Sequence, residues 1–188
     1  YPADQTTQHT LNLAGGKLEF SATAGVIRLS NAQTAQPLAD VAFIAFQKPG
    51  AEPRTRPVTF LFNGGPGYAS GWLNLGAAGP WRLRMSGEAA TPSAAPVLED
   101  NPDTWLDFTD LVFIDPVGTG YSRFATGGDE VRKQFYSVDG DVAAIGLVIR
   151  RWLEKHDCTV FTINGFPYGR FHGTRVKEQV YAPDWTTP

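Results

Sequence analysis

Asn63-Gly64-Gly65-Pro66-Gly67 is the stretch of this chain whose residue types are best suited to chemistry. Its three glycines let the backbone take positive φ and bring main-chain N–H groups up to a ligand with no side chain in the way. The preceding residues 58–62 are apolar or β-branched throughout, which suits a strand buried on both faces of a largely parallel sheet. Two readings fit such a turn: a plain tight turn after a strand, and an anion site. Phosphate binding is set aside, because no Gly-Lys-Ser/Thr follows and no Gly-x-Gly-x-x-Gly opens a helix. An oxyanion hole remains, in which N–H groups fixed by the fold stabilise the negative oxygen of an acyl-transfer transition state. That reading needs a nucleophile elsewhere.

Candidates for the nucleophile and its base are few. Ser70 in Gly67-Tyr68-Ala69-Ser70-Gly71 and Ser122 in Gly120-Tyr121-Ser122 lack Gly-x-Ser-x-Gly spacing, and serines near turns most often cap or solvate backbone. Of the three histidines, His9 falls in an expected first strand, His156 at a helix end and His172 in the tail. The single Cys158 has no internal disulfide partner and opens an apolar run, where a thiol reads as a small buried hydrophobe. Residues 98–115 hold six carboxylates with no Lys or Arg. Without a histidine or the spacing of a calcium loop they read as solvated surface, so no metal and no cofactor is expected.

The elements that must position these residues follow from hydrophobic periodicity. Residues 9–13, 17–22, 26–30 and 41–46 read as an N-terminal β-meander, with breaks at Gly15-Gly16 and Gly25. Residues 47–57, rich in proline, form a surface connection to the strand at 58–62, and 85–97 a mobile loop. Leu111-Val112-Phe113-Ile114 reads as a second parallel strand ending in Asp115-Pro116. Ser137 caps a helix whose buried face is Val138, Val142, Ile145, Ile149 and Trp152, ending near Lys155-His156. Residues 159–164 read as a further strand and 177–188 as a loose end. Strand, helix, strand in that order is a βαβ crossover, so the core is α/β.

Composition bounds the rest. With 188 residues, 42% of them hydrophobic, the chain suffices for one domain with a substantial core. A formal net charge of −3 with scattered Lys and Arg is no footprint for nucleic acid. No run approaches the roughly 18 apolar residues of a membrane span. The opening Tyr1-Pro2-Ala3-Asp4 lacks a signal peptide's regions, as a processed exported protein also would.

Four motifs stand in order along the chain: Phe62-Asn63-Gly64-Gly65-Pro66-Gly67, Gly79-Pro80-Trp81-Arg82-Leu83, Asn101-Pro102-Asp103-Thr104-Trp105, and Phe113-Ile114-Asp115-Pro116-Val117-Gly118-Thr119-Gly120-Tyr121-Ser122. Together they resemble the serine carboxypeptidase family of α/β-hydrolases, especially its bacterial branch, over about residues 10–170. The resemblance implies the N-terminal portion of an α/β-hydrolase fold, incomplete at its C-terminal end. It would be one partial domain with a meander (1–50), a βαβ core (57–170) and a tail (171–188). It also implies that the Gly65 and Tyr168 N–H groups are oxyanion donors, and that Asn63 and the Gly64 peptide hold the C-terminal carboxylate of a peptide. Tyr68 stands where many eukaryotic members carry a disulfide cysteine. A periplasmic or secreted bacterial location follows by the same resemblance.

The departure lies at the nucleophile. Where the family carries Gly-Glu-Ser-Tyr-Gly, this chain has Gly165-Phe166-Pro167-Tyr168-Gly169, so serine is replaced by Pro167 and the carboxylate-sharing acid by Phe166. Proline is locked near φ ≈ −65° and donates no N–H, so residues 165–169 are expected to open into a wider turn or a disordered loop. Three expectations stand together: an N-terminal part of a carboxypeptidase, inert alone; a non-catalytic protein binding an anion or peptide terminus; and a hydrolase completed by a second chain. Pro167 counts against the third. The strand at 159–164 would leave an uncovered edge, open to self-association or to a C-terminal complement.

Overall fold

The first 47 positions carry strand-like stretches of partly alternating residues, interrupted at Gly15-Gly16 and over residues 31–36. In the computed structural model these residues form β1 (Gln5–Leu13), β2 (Gly16–Ser30) and β3 (Pro37–Gln47), paired antiparallel in sequence order. Residues 1–51, 56–63, 68–83 and 97–156 are described in full, and residues 161–166 by their backbone. The expected break at Gly25 does not occur. Register is continuous through Ala24↔Ile44, Gly25↔Phe43 and Val26↔Ala42, and a Cβ on Gly25 would lie 2.6 Å from the Phe43 ring and 2.5 Å from the Asp4 carboxylate. Gly25 marks a close approach across the sheet, which a reading of glycine as a breaker misses.

The chain continues through β4 (Val58–Asn63), the short helix α1 (Gly71–Leu73), β5 (Trp81–Leu83), β6 (Leu98–Asp100), β7 (Asp110–Ile114), β8 (Arg123–Phe124), α2 (Asp129–Phe135), α3 (Val138–His156) and β9 (Phe161–Phe166). The main sheet runs β1-β2-β3-β7-β4-β9, with β8 beside β3. β4 pairs parallel with both β7 and β9, so the βαβ unit expected from periodicity is present as β7, α3, β9. The α/β class is therefore correct: an antiparallel meander flanks a parallel core. The last strand is described over Phe161–Phe166 and so runs past the expected end at 164; residues 159 and 160 lie outside the described residues. Residues Cys158, 84–96 and 167–188 lie outside the described residues, and with them the readings made of the thiol, the loop and the tail.

Both faces of the parallel core are covered, as a run without alternation requires. Val58, Phe60, Val112 and Ile114 pack with Val148, Ile149, Trp152 and Leu153 of α3. Leu61, Leu111 and Phe113 face the other way, toward Leu11, Leu18, Phe20 and Phe46. Ser137 caps α3 as expected, its Oγ accepting from the Gly140 N–H at 3.1 Å. The buried face needs correction: Ile145, Ile149 and Trp152 are buried, but Val138 is 81% and Val142 54% exposed. At about 100° per residue Val138 lies only about 20° from Ile145, so the helix is rotated as periodicity demands. What differs is that the apolar positions of its first turns are left exposed.

Two of the four sequence motifs prove to be one structural unit. β5 and β6 form an antiparallel hairpin that periodicity did not reveal. The Asn101 amide donates to the carbonyls of Ala77 and Gly79 at 2.8 Å each, and Thr104 Oγ1 donates to Ala78 at 3.0 Å. Asn101 and Thr104 are buried, and these bonds answer the polar groups that burial would otherwise leave unpaired.

Candidate functional site

The strand order places the site. β7 follows β4 in sequence yet lies between β3 and β4, and ligands of such sheets gather outside the carboxyl ends of the strands where the order switches. Asn63 ends β4 and Asp115 follows β7, and Leu61 pairs with Phe113 just before both ends. Beside them opens a cavity of about 360 Å³, lined by Tyr68, Trp72, Leu75 and Leu83 with Ala69, Gly71 and Gly120. Tyr68 and Trp72 are more than half exposed, so the site presents aromatic surface to solvent.

Asn63 is half-buried, and its Nδ2 donates to the Ala69 carbonyl at 2.7 Å. One of its two N–H donors thus ties the end of β4 to Ala69. Gly64, Gly65, Pro167 and Tyr168 lie outside the described residues. Gly165 and Phe166, expected within an opened turn, are instead the last two residues of β9, with Phe166 opposite Asn63. The extended conformation that a following proline imposes is satisfied by continuing the strand.

Asp115 corrects the reading of the acidic stretch as solvated surface. Its Oδ1 accepts from the Ser70 N–H at 2.8 Å and its Oδ2 from the Tyr121 N–H at 3.0 Å. Asp110, at the other end of β7, accepts from Arg56 Nε at 2.7 Å, and Asp100 from the Asn12 N–H at 3.0 Å. A carboxylate at a strand end followed by Gly-x-Gly was the available signal; counting it with its acidic neighbours hid it. Among the described residues no group of three His, Cys, Asp or Glu is placed to hold a metal.

The two serines are structural. Ser70 is 2% exposed and its Oγ donates to the Ile114 carbonyl. Ser122 is 1% exposed, donating to the Asp115 carbonyl at 2.7 Å and accepting from the Ala42 N–H at 2.8 Å. Neither hydroxyl is presented to a substrate.

Of the described histidines, neither is closer to forming a triad; His172 lies outside the described residues. His9 lies in β1, four strands from β4 or roughly 19 Å at the usual strand spacing, and stacks on Phe20 at 5.4 Å. His156 stacks on Trp152 at 4.0 Å. Burial, with Lys155 adding to it, holds the His156 imidazole below its ordinary value of 6.5, against the opposing pull of Asp4 and Asp110. A base that titrates lower when folded takes up more protons on unfolding, so its contribution to stability is present above 6.5 and is lost as pH falls through the folded value. Between about pH 7.5 and about pH 5 the urea midpoint of the wild type is expected to fall further than that of His156→Gln. Equal falls would remove His156 as a cause.

With the geometry in place, the relatives of this chain can be compared. A pheromone-processing carboxypeptidase, kex1, from Sclerotinia sclerotiorum is 38% identical over 84 residues, 44% of this chain and 12% of its own length. Serine carboxypeptidase-like 16 from Arabidopsis thaliana is 26% identical over 142 residues, 75% of this chain and 30% of its own length. The chain thus spans well under half of either relative. Among solved structures, a Pseudomonas aeruginosa protein described as an epoxide hydrolase superposes with a TM-score of 0.38 and 16% identity, over 78% of this chain and 33% of its own. The α/β class rests on the strand order above and draws nothing from that likeness. The serine carboxypeptidase family model matches residues 15–162, taking in both strand-end loops and the Asn101 unit. The chain belongs to the serine carboxypeptidase family.

Proposed function

We propose that these residues carry the substrate-carboxylate end of a serine carboxypeptidase-type site and do not catalyse by themselves. In this reading Asn63 and the Gly64 peptide hold the C-terminal carboxylate of a peptide, and the Gly65 N–H faces the oxyanion. The observation that carries it is the family match over residues 15–162, which contains the glycine turn and the Asp115 loop. A carboxylate accepts several donors at once, and charge-assisted bonds are roughly twice as strong as neutral ones, so such a clamp places the last peptide bond for attack. Membership of the bacterial branch is supported by Tyr68 at the disulfide position and by the single cysteine. The outer edge of β9, last in the described sheet, is where a C-terminal complement or a second copy would join.

Pro167 at the nucleophile position favours a second reading, a pseudoenzyme that retains the carboxylate clamp and binds without turnover. Calorimetric titration tests what the two readings share. An N-acetylated dipeptide with a free carboxylate is expected to bind, while the same dipeptide as its C-terminal amide does not. Equal binding of acid and amide, or none of either, would remove the clamp from both.

A further inference from the structure

Residues 5–13, Gln-Thr-Thr-Gln-His-Thr-Leu-Asn-Leu, carry no Asp, Glu, Lys, Arg or Pro. They form β1, the last strand at the meander end of the sheet, paired with β2 alone among the described residues. Its register runs without a shift from Gln5↔Ala24 to Leu13↔Gly16, so no bulge bends it. Proteins protect a sheet edge with charge, proline or bulges, and β1 has none of these. We propose that its open edge is an interaction surface for a second copy of this chain, the two β1 strands pairing antiparallel about Gln8.

The backbone sets the direction. The Asn12 N–H donates to the Asp100 carboxylate of β6 at 3.0 Å, so it points away from β2. Outward- and inward-facing groups alternate along an antiparallel strand, which turns the N–H and C=O groups of Thr6, Gln8 and Thr10 outward as well. All three residues are exposed. Asp100 closes the edge at Asn12 and the strand begins at Gln5, so the open part is residues 5–11, with Gln8 at its middle. An antiparallel copy laid over that whole length therefore sets outward residues against outward residues. Centring between two residues would oppose outward to inward groups and force a shift. With Gln8 opposite Gln8, Thr6 meets Thr10 of the second copy and Thr10 meets its Thr6, each pair exchanging two backbone bonds.

Side chains suit the same pairing. Like charges set directly opposite would repel, and here Gln meets Gln, Thr meets Thr, and Thr7 meets His9. Thr6 Oγ1 already lies 2.9 Å from Thr23 Oγ1, and Thr10 of the second copy prolongs that row of hydroxyls. An unrelated extended peptide would gain the backbone bonds without this matching. Leu11 is 0% exposed and His9 stacks on Phe20, so the edge is presented already ordered and pairing costs little chain entropy. One strand edge is a small contact, which places the association in the transient class.

Sedimentation equilibrium of the full chain from about 10 μM to about 1 mM is expected to show the average mass rising toward that of a dimer. Gln8→Pro keeps the bonds to β2, because the Gln8 N–H faces outward, and removes the central donor of the contact. Gln8→Lys sets two like charges across the two-fold axis. Each is expected to weaken the dimer at least about tenfold. Gln134→Lys adds the same charge on the exposed surface of α2 and is expected to leave the dimer unchanged. In a Cys158→Ser background, oxidised Gln8→Cys is expected to form a disulfide-linked dimer. Thr10→Cys is not, its two copies lying about 14 Å apart against the roughly 7 Å limit for a bridge. A chain that stays monomeric throughout would overturn the proposal. So would a dimer that Gln8→Lys leaves intact, which would move the contact to another edge, and this variant decides alone if Gln8→Pro does not fold. Equal cross-linking at residues 8 and 10 would overturn the pairing about Gln8.

Discussion

Incubated with N-blocked dipeptides, the purified chain is expected to release no C-terminal amino acid and to take up no serine-directed fluorophosphonate. The hydroxyls nearest the strand ends, Ser70 and Ser122, are buried and committed to the backbone of β3, β7 and the loop after it. By the resemblance of Gly165-Phe166-Pro167-Tyr168-Gly169 to the family's Gly-Glu-Ser-Tyr-Gly, the nucleophile position would fall on Pro167, which has neither a hydroxyl nor an N–H. Removing members of a serine hydrolase triad costs on the order of 10⁴ to 10⁶ in rate, which takes turnover below ordinary detection. Pro167→Ser is expected to restore nothing, because a serine without an oriented imidazole stays a weak nucleophile. His9 and His156 are each engaged by an aromatic ring elsewhere. Stoichiometric labelling of the wild type, mapped to one residue by mass spectrometry, or turnover by Pro167→Ser, would show a nucleophile and base other than the described Ser70, Ser122, His9 and His156.

Trp152→Ala is expected to give the largest loss of stability of any single truncation in α3, about 3–5 kcal/mol in urea unfolding. The indole is 1% exposed, meets the Phe60 ring edge-on at 5.4 Å and stacks on His156, so it joins the helix to the centre of the parallel core. Against the roughly 5–15 kcal/mol of a typical domain, that loss leaves little margin. Val142→Ala is the counterpart. It shares the apolar face of α3 on a helical wheel but is 54% exposed, so its expected cost stays within about 0.5 kcal/mol apart from propensity. If Val142→Ala cost as much as Trp152→Ala, the amino end of α3 would be covered by packing that its exposure here excludes.

What could be learned from the residues alone was the character of each element. Residues 58–62 and 111–114 have no polar alternation, so they had to lie between two covered faces, and Ser137 with the Ile145, Ile149, Trp152 spacing specified a capped helix with one buried stripe. Four ordered motifs then carried the family, which the match over residues 15–162 bears out. These are local properties, written in periods of two or 3.6 residues.

Tertiary structure decided where those elements stop and what their polar ends hold. Val138 obeys the helical period yet is exposed, because a period states direction and not whether a partner lies there. Gly25 sits inside β2 because Phe43 and Asp4 occupy the space of its missing side chain, a contact across strands that no local pattern records. Asp115 looked like one acid among six. Its role depends on Ser70, 45 residues earlier, and on Tyr121, six residues later, being brought to its two oxygens by a sheet in which β7 slots between β3 and β4. A carboxylate's partners are set by the neighbours the strand order supplies, and that order forms only when the chain closes.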